Sequence, residues 1–516
     1  MSDDLEDRVR AAVELLEQLG GELPRLAQLD EDLRIRLVSA AGQLSRPDRY
    51  SRKALGKALA RARVKAKKAA DRAILDQTGI RALRREPVFR TPLPRPADMA
   101  LDAPVRDDEG AEDEWAEAEA RRSEGARVED SRLCYVCKTH FNEVHHFYDQ
   151  MCPPCAELNW NKRQQTADLR GRVVLVTGAR VKIGYQAAVM LLRAGAEVIV
   201  ATRFPRDAAR RFSQEPDALE WTQRLHIYGI DLRHTPSVEL LARHLLSTQS
   251  RLDGLINNAC QTVRRPSGWY DHVIHGEDEP PANAFERAVL DRNYALRGGG
   301  VELARLGGEE IQATGLWKSA VLSQVPLLAE DLERSHALYP AGRLDQDLQQ
   351  VDLRDFNSWR MTLADVPTAE LLEVQLVNAI APFVLNARLR PLMAAVPTHD
   401  THIVNVSAME GQFYRRWKTD KHPHTNMAKA ALNMMTRTSA ADYVRDGIHM
   451  NSVDTGWVTD EDPKHHAERK QAIHNFHPPL DIVDGAARIV DPLFDGINTG
   501  RHLWGLFLKD YKPAPW

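Results

Sequence analysis

The sequence predicts an α/β protein with a doubly wound parallel sheet, preceded by an α-helical N-terminal region and a small cysteine-rich module. Three observations support this prediction. Apolar strand-like runs alternate with amphipathic helical segments from residue 171 to the end of the chain, a pattern typical of parallel sheets. Helical periodicity dominates the first 86 residues, and four of the five cysteines lie between residues 134 and 155.

The composition is typical of a soluble globular protein. Hydrophobic residues make up 43% of the chain and charged residues 28%, and the net charge is −4, which excludes a globally basic nucleic-acid binder. No apolar run approaches the roughly 20 residues of a membrane-spanning helix, and the start MSDDLEDRVR lacks an apolar signal core. Five cysteines cannot form a disulfide framework. We therefore expect a cytoplasmic protein with reduced thiols and no membrane contact.

The first 86 residues predict helices. Leu5, Val9 and Val13 lie on one helical face, and Gly20 and Gly21 end that helix. The stretch 49–72 carries ten Lys or Arg residues and one acid, so this basic helix could follow a nucleic-acid backbone. From residue 51 onward no aromatic side chains interleave the basic ones, so a solvated helix face is the favoured interpretation.

Residues 87–130 predict an acidic linker. Five prolines stand in or just before a run from Asp98 to Glu119 that holds ten acids and one arginine.

The segment 131–165 predicts a metal-binding module. It contains two CxxC pairs with fourteen residues between them, formed by Cys134, Cys137, Cys152 and Cys155. Two such pairs supply the tetrahedral thiolate shell that zinc favours, and a closed shell indicates a structural zinc ion. Two alternatives stay open: one pair could be redox-active, or His140, His145 or His146 could replace a thiolate.

A nucleotide-binding unit begins at Arg172. Val173 to Val176 form a run apolar on both faces, as a buried parallel strand requires, and Gly178 and Gly184 bracket the turn before an amphipathic helix. The N-terminus of that helix is suited to a pyrophosphate. Further strands are predicted in LHIYGIDL, LDGLINNA, IVNVSA and HMNSVDTG.

These motifs resemble the short-chain dehydrogenase/reductase superfamily over about 171–260 and 370–516. The resemblance implies a Rossmann domain and assigns active-site roles to Asn378, to Ser407 in IVNVSA and to Lys429 at the lysine of YxxxK. It also implies dinucleotide contacts from Thr177, Gly178, Arg180, Lys182, Ile183, Gly184, Asp231, Leu232, Asn257, Ala259, Lys429 and Thr459.

Three positions depart from the family pattern. Lys182 replaces the middle glycine of TGxxxGxG, where an ammonium could meet a phosphate, and Cys260 replaces the last glycine of NNAG. Thr425 stands where YxxxK has its tyrosine, in TNMAK. The upstream cysteine module together with TNMAK resembles an atypical subgroup of the superfamily.

The missing tyrosine leaves the proton donor open, since a threonine hydroxyl is far less acidic than a phenol. Tyr414, in the long loop after Ser407, could supply a phenol and is the residue we expect to limit any redox activity. The acid could instead be His422, His424 or Lys418. The site could also perform no redox chemistry and only bind nucleotide.

The predicted cofactor is NADP(H). NAD-dependent enzymes usually place an acid at the end of the second strand to bind the ribose 2′-hydroxyl. Here Thr202 and Arg203 stand at that point, and they suit a 2′-phosphate. The alternative is that Arg203 faces solvent.

A long insertion separates two parts of the nucleotide-binding unit. Cys260 and Asn378 are 118 positions apart, so we expect much of 262–365 to lie at the carboxyl ends of the strands, as a lid or a docking surface. Trp269, Tyr270 and His272 are candidate pocket residues.

The sequence therefore favours an NADP(H)-dependent oxidoreductase acting on an unidentified carbonyl or alcohol substrate, and the resemblance implies self-association into a homo-oligomer. The alternative is a non-catalytic NADP(H)-binding scaffold whose cysteine module and basic helix bind a protein or nucleic-acid partner.

Overall fold

The computed structural model describes residues 2–92, 125–298, 314–414, 418–474 and 477–516. The chain divides into two compact units, residues 1–73 and 74–516. The predicted acidic run 98–119 lies outside the described residues.

The first unit is helical, as predicted. Its helices are α1 (Ser2–Gly21), α2 (Glu31–Ser45) and α3 (Arg49–Leu75), the last of which continues into the second unit. The Asp30 carboxylate accepts a hydrogen bond of 3.2 Å from Leu33 N and caps α2. Apolar side chains of α1 such as Leu5, which is 64% exposed, are not part of a core in this unit.

The second unit begins with α4 (Gly79–Arg85), an antiparallel hairpin of β1 (Ala126–Leu133) and β2 (His140–Val144), and α5 (Pro153–Arg163). Strand β1 starts inside the predicted linker. Half of its residues are charged and most are exposed, so the sequence lacks the alternation of apolar and polar residues that indicates a strand. Residues near position 90 also dock on this unit: Phe89 N donates to Gln346 O at 2.9 Å, and Thr91 Oγ1 to Glu215 Oε1 at 2.6 Å.

The main sheet has eight strands in the order β10-β9-β8-β7-β6-β3-β4-β5, and all pairs are parallel except β9 with β10. The strands are β3 (Val173–Thr177), β4 (Glu197–Thr202), β5 (Leu225–Gly229), β6 (Gly254–Asn257), β7 (Thr401–Ser407), β8 (Ile448–Asp454), β9 (Phe507–Lys509) and β10 (Lys512–Ala514). The strand order reverses between β3 and β6, where open α/β sheets bind ligands. This confirms the predicted doubly wound sheet.

Helices cover both faces of the sheet. They are α6 (Lys182–Arg193), α7 (Pro205–Phe212), α8 (Ala218–Trp221), α9 (Thr235–Thr248), α10 (Asp271–Asp278), α11 (Ala284–Gly298), α12 (Thr314–Trp317), α13 (Thr368–Gln375), α14 (Ala381–Ala394), α15 (Pro423–Tyr443), α16 (Lys464–His474) and α17 (Ile482–Thr499). Strand side chains alternate between two cores: Val174 and Val176 pack in one, and Val173 and Leu175 in the other.

A π-helical turn, Leu376–Ile380, joins α13 and α14 into one continuous helix. Within the described part of the chain, this helix, Thr368–Ala394, is the one that is long and apolar enough to cross a membrane by length and composition. Half of its most apolar stretch is buried, and Leu385, Leu389 and Met393 belong to the core under the sheet. One face of this helix is therefore buried against the sheet.

One part of the inserted segment covers the side of the sheet, which corrects part of the prediction that it lies at the carboxyl ends of the strands. Helix α11 places Phe285, Val289 and Leu290 in the core, and Asn293 Oδ1 accepts a 2.9 Å hydrogen bond from Gly229 N of the edge strand β5. This part of the insertion covers the side of the sheet, because an open edge strand needs a cover.

Candidate active site and cofactor cleft

The glycine-rich turn after β3 is closely packed. Gly178 has φ +70°, and a Cβ there would stand 2.7 Å from Ala259 Cα. A Cβ at Gly184 would stand 2.3 Å from Asn258 Nδ2, which donates to the carbonyls of Thr177 (3.1 Å) and Gly178 (3.2 Å). Both glycines are required for this packing.

Lys182 adopts the left-handed conformation that glycine usually supplies at its position, with φ +56°. Its Nζ lies 4.0 Å from Asp347 Oδ2. Burial opposes the ammonium charge, but the carboxylates of Asp347, Glu461 and Asp345 offset it, so the pKa of Lys182 lies above its ordinary value. Lys182 therefore places a positive charge at the start of α6, where a phosphate would bind.

Arg180, also predicted to contact the cofactor, is held by protein groups. Its guanidinium donates to Asp207 Oδ2 and to Gln349 Oε1, both at 2.6 Å. Arg211 donates to the carbonyl oxygens of Asp347 (3.0 Å) and Leu348 (3.1 Å). These contacts fix the loop 345–350 of the insertion against the glycine-rich turn.

The end of β4 carries the predicted 2′-phosphate residues. Thr202 is buried, and its Oγ1 accepts from Phe204 N at 3.3 Å. Arg203 is half-buried: it donates to the Tyr270 hydroxyl at 2.9 Å, and its guanidinium lies 5.0 Å from the centre of the Tyr270 ring. Arg203 therefore does not simply face solvent, and the predicted pocket residue Tyr270 lies beside it.

The other two candidate pocket residues of the insertion are Trp269 and His272. Trp269 packs in an apolar cluster with Phe204 and Tyr270, and His272 lies against Trp269. Trp269 is buried and donates from its indole to Gln350 O at 2.7 Å. His272 Nδ1 lies 2.9 Å from Trp269 O. Both residues shape the insertion.

Asp231, predicted to contact the dinucleotide, forms an ion pair with Arg233. Arg233 binds its carboxylate with two nitrogens, the shorter contact being 2.7 Å, and also reaches Glu373 Oε1 at 2.7 Å. Burial raises the pKa of Asp231, but Arg233 outweighs this effect and the pKa is lowered. Leu232 beside it is buried in the core.

Asn257 and Ala259 hold the end of β6. Asn257 Nδ2 donates to Asn386 Oδ1 (2.8 Å) and Asn405 Oδ1 (2.9 Å), so it joins β6, β7 and α14. Ala259 N donates to Thr177 Oγ1 at 3.0 Å. Asn257 therefore acts as a buried structural residue in this structure.

The reactive centre predicted from sequence is assembled at the end of β7 and the start of α15. Ser407 ends β7 and is 3% exposed, while Thr425 and Lys429, one helical turn apart, are 1% and 4% exposed. Lys429 Nζ donates to Val406 O at 2.7 Å, which fixes the ammonium beside Ser407.

The hydroxyls of Ser407 and Thr425 are buried, and neither has a hydrogen-bond partner among the described residues. A buried hydroxyl without a partner costs roughly 1–3 kcal/mol. A bound ligand with an oxygen acceptor would remove this cost, so both hydroxyls are suited to hold a ligand oxygen.

Asn378 lies in the π-helical turn and positions the chain after β6. Its side chain accepts from Gln261 N at 2.7 Å and donates to Gln261 O at 3.0 Å. Such turns inside α-helices are frequent at functional sites.

Tyr414 does not occupy a closed pocket. Its side chain is 92% exposed, so the expectation that it folds back over Ser407 is not realised in this structure. Gly411 is close to α15, where a Cβ would stand 2.8 Å from the backbone of Lys429, and Gln412 is buried. The loop leaves the core at Phe413, which is 73% exposed. Lys418, one of the alternative acids, is exposed.

Two histidines flank the reactive centre. His422 stacks on Trp359 with ring centres 3.9 Å apart. His424 Nε2 lies 3.4 Å from Glu370 Oε1, and both side chains are 1% exposed. Sequence reasoning named His424 but missed Glu370, whose only signal is its place on the buried face of α13.

Glu461 is a second acid that sequence reasoning missed. Its carboxylate accepts from Thr459 Oγ1 (2.7 Å) and Thr262 Oγ1 (3.4 Å). Burial raises its pKa, but Lys182 and the Thr459 hydrogen bond outweigh burial, so the pKa is lowered. Lys182, Thr459 and Glu461 thus meet in one part of the cleft.

The four clustered cysteines form a candidate metal centre. Their Sγ atoms all lie within 4.8 Å of one another, and Cys137 Sγ and Cys152 Sγ are 3.5 Å apart. In the described chain His140, His145 and His146 are not part of this cluster. The module packs on Val458, Leu480 and Ile482, next to Thr459. The arrangement has the donors and size of a four-thiolate site.

Comparisons with known proteins agree with the fold. A short chain dehydrogenase family model matches residues 172–272, and a model described as enoyl-(acyl carrier protein) reductase matches residues 354–480. An uncharacterized protein of Acanthamoeba polyphaga mimivirus is 32% identical over 374 residues, which are 70% of this chain and 71% of that protein.

Characterised relatives match over a shorter region. Dehydrogenase/reductase SDR family member 13 of Bos taurus is 36% identical over 24% of this chain and 31% of its own length. Human retinol dehydrogenase 11 is 31% identical over 21% of this chain and 35% of its own length. The structure of an NADPH-bound carbonyl reductase from chicken fatty liver aligns with a TM-score of 0.41 at 17% identity, covering 67% of this chain and all of that one.

The chain belongs to the short-chain dehydrogenase/reductase superfamily. The matched regions flank the insertion and carry the glycine-rich turn, Ser407, Thr425 and Lys429.

Proposed function

We propose that the protein is an NADP(H)-dependent oxidoreductase of carbonyl or alcohol substrates in which Thr425 takes the place of the family tyrosine. The observation that carries this proposal is the pair of buried, unpartnered hydroxyls of Ser407 and Thr425 beside the ammonium of Lys429. The relatives named dehydrogenases and reductases support the same reaction class. NADP(H) would supply or accept the hydride.

The residues of the chain would orient and stabilise the substrate oxygen. Ser407 and Thr425 donate hydrogen bonds to it, and the positive charge of Lys429 stabilises negative charge that develops there. Threonine is too weak an acid to be the proton source alone. His424, adjacent to Thr425 in the chain and paired with Glu370, is the group we assign to proton supply.

The residues of the cleft fit NADP(H) rather than NAD(H). Arg203 is half-buried at the end of β4, and no acid stands there to bind a 2′-hydroxyl. Lys182 adds a positive charge at the start of α6. Arg203 would bind the 2′-phosphate and Lys182 the pyrophosphate.

The proposal is tested by NADPH oxidation with a panel of aldehydes and ketones, together with calorimetry of NADPH binding. We expect wild-type turnover with at least one carbonyl, and Ser407→Ala should lose turnover while it keeps NADPH affinity. Ser439→Ala, in the same helix as Thr425 but outside the site, is the matched control. Wild-type protein that binds NADPH tightly but oxidises it with no carbonyl would overturn the enzymatic part.

We also propose that Cys134, Cys137, Cys152 and Cys155 hold a structural zinc ion. Four thiolates leave no open position for water or substrate, as in other structural sites. Zinc would stabilise a module that has a short hairpin and one helix of its own. The need for reduced thiolates supports the cytoplasm as the location of the protein.

Self-association is the third proposal. The continuous helix α13–α14 and helix α15 lie side by side and expose large apolar side chains: Leu372, Ile380, Phe383, Met427 and Met434. Their spacing of three, seven or eight residues aligns them in helical stripes. Exposed apolar stripes of this kind mark protein interfaces, and a second copy of the chain is the partner we propose.

The second candidate function is a non-catalytic NADP(H)-binding scaffold. The replacement of the tyrosine by Thr425 favours it, since the usual proton donor is absent. In that case the basic face of α3, exposed along its length, would bind the partner. The carbonyl panel described above separates the two functions.

A further inference from the structure

Three histidines that are far apart in sequence meet at the end of the sheet opposite Ser407. His402 is the second residue of β7, His449 is the second residue of β8, and His502 follows α17. Their ring centres are 4.8 to 5.3 Å apart. One nitrogen from each ring lies within 4.8 Å of the other two, so the three rings can converge on one point.

The nitrogens lie close enough together to share one ion. His402 Nε2 and His502 Nδ1 are 2.9 Å apart, and His449 Nδ1 lies 3.2 Å from the carbonyl oxygen of Thr401. A proton on that nitrogen of His449 leaves Nε2 to bind, and a backbone carbonyl is a usual second partner of metal-binding histidines. Tetrahedral ligands about 2.0 Å from zinc stand roughly 3.3 Å apart. The separation of 2.9 Å between His402 and His502 is close to this value.

A glycine beside the histidines leaves space for an ion. A Cβ at Gly496 of α17 would lie 2.6 Å from His502 Nδ1 and 3.0 Å from His402 Nε2. Any other residue would fill the volume next to the two nitrogens. His402 is 1% exposed, while His449 and His502 are half-buried, so the cluster has an inner wall and an open side.

The carboxylate next to the histidine cluster is already paired with an arginine. Asp400 accepts two hydrogen bonds from Arg172, at 2.7 and 3.0 Å, so its carboxylate is paired.

We propose that His402, His449 and His502 bind a divalent transition-metal ion of the zinc type, with a fourth position open to water. Three imidazoles suit Zn²⁺ and neighbouring first-row ions. His402 and Ser407 are five positions apart on β7, about 16 Å at roughly 3.3 Å per residue, so the ion lies away from the reactive centre. It would cross-link β7, β8 and the segment that leads into β9, independently of the proposed enzymatic function.

The test is metal titration of the full-length protein. Purified protein is stripped of weakly bound metal, and Co²⁺ is then added while its absorption is recorded. Thiolate ligands give charge-transfer bands that imidazoles lack, so the spectrum separates this site from the cysteine cluster. We expect one equivalent of Zn²⁺ beyond the cysteine site, and a rise in Tm on adding it. His449→Gln and His502→Gln should each weaken that equivalent at least about tenfold.

Two further variants make the outcome decisive. Cys152→Ser should lose the thiolate bands and keep the second equivalent, while His466→Gln, which changes a half-buried histidine outside the cluster that stacks on His465, should bind like wild type. His449 and His502 are half-buried, so their variants should fold, and circular dichroism checks this. The proposal is overturned if wild-type protein takes up zinc only at the cysteines, or if both histidine variants bind the second equivalent with unchanged affinity.

Discussion

At the scale of single residues, two positions of the family motifs carry a different functional group in this chain. Thr425 is buried one helical turn before Lys429, at the position where the YxxxK motif has its tyrosine. Lys182 adopts a left-handed backbone conformation at the position where TGxxxGxG has its middle glycine. In both cases the functional group differs from that of the motif.

The first prediction concerns the hydroxyl of Thr425. Thr425→Val keeps the branched shape and deletes the hydroxyl, so we expect kcat to fall at least about tenfold, equal to roughly 1.4 kcal/mol of barrier. Tyr414→Phe deletes an exposed hydroxyl and should leave kcat unchanged. Steady-state kinetics of NADPH oxidation with the best carbonyl substrate measure both. The reverse result, loss in Tyr414→Phe alone, would restore the sequence-based expectation.

The second prediction concerns cofactor choice. Arg203→Ala should weaken NADPH binding by about one to two decades and leave NADH binding nearly unchanged, because a charge-assisted phosphate contact contributes roughly 1.5–3 kcal/mol. Calorimetry with both cofactors measures the ratio. Arg206→Ala, which removes a nearby arginine outside the proposed phosphate site, is the control. Equal wild-type affinities for NADPH and NADH would contradict the assignment.

Several residue roles could be predicted from sequence and others could not. Local spacing was enough for Thr425 with Lys429 and for the glycine-rich turn, because helix and strand periods fix which side chains are neighbours. The ion pair of Asp231 with Arg233 could not be predicted, because only coordinates show which partner a charged side chain takes. Glu370 was missed because its histidine partner is 54 positions away in the chain.

At the scale of elements, the cysteine module is a small unit that shares an apolar core with the main domain. It consists of one hairpin and one helix, and its apolar side chains pack against residues of the main domain. Sequence placed its cysteines correctly but began the module late, because the charged strand β1 resembles the linker before it.

The third prediction tests the metal of this module. Elemental analysis should find zinc in wild-type protein, and Cys152→Ser should lose the share held by the thiolates. The Tm of that variant should fall, because metal binding contributes to the folding free energy of such modules. Cys260→Ser, which changes the cysteine outside the cluster, should retain the metal. Full retention in Cys152→Ser would remove the four-thiolate assignment.

The position of the insertion could be predicted from the sequence, but the packing of its helix α11 could not. Its position after Cys260 correctly indicated material near the ligand-binding end, and the loop 345–350 does lie against the glycine-rich turn. The sequence did not indicate that α11 covers the edge strand, since a helix with an apolar face can pack on any exposed part of a sheet.

At the scale of the whole chain, charge and apolar surface are unevenly distributed. The net charge is −4, although the stretch 49–72 is strongly basic and 98–119 strongly acidic. Large apolar side chains are exposed on the N-terminal helices and also on the stripes of α13–α14 and α15. The proposed self-association places the interface on these two stripes of the main domain.

The fourth prediction tests that association. Phe383→Glu and Met434→Glu place a charge on the two stripes, where both side chains are more than half exposed in one chain. We expect each variant to shift the mass measured by light scattering toward the monomer. Leu219→Glu, at a side chain that is 84% exposed elsewhere on the domain, should keep the wild-type mass. A monomeric wild type at micromolar concentration would contradict the proposal.

The contact between the cysteine module and the segment at Val458 and Thr459 has a thermodynamic consequence. If zinc and the dinucleotide stabilise the same packed residues, their binding equilibria are linked, and each must raise the affinity for the other by an equal factor. Oxidation or chelation at the thiolates would then be transmitted to the cofactor cleft as a loss of affinity. The module would act as an effector site, through which the metal supply and redox state of the cell set the occupancy of the Rossmann domain.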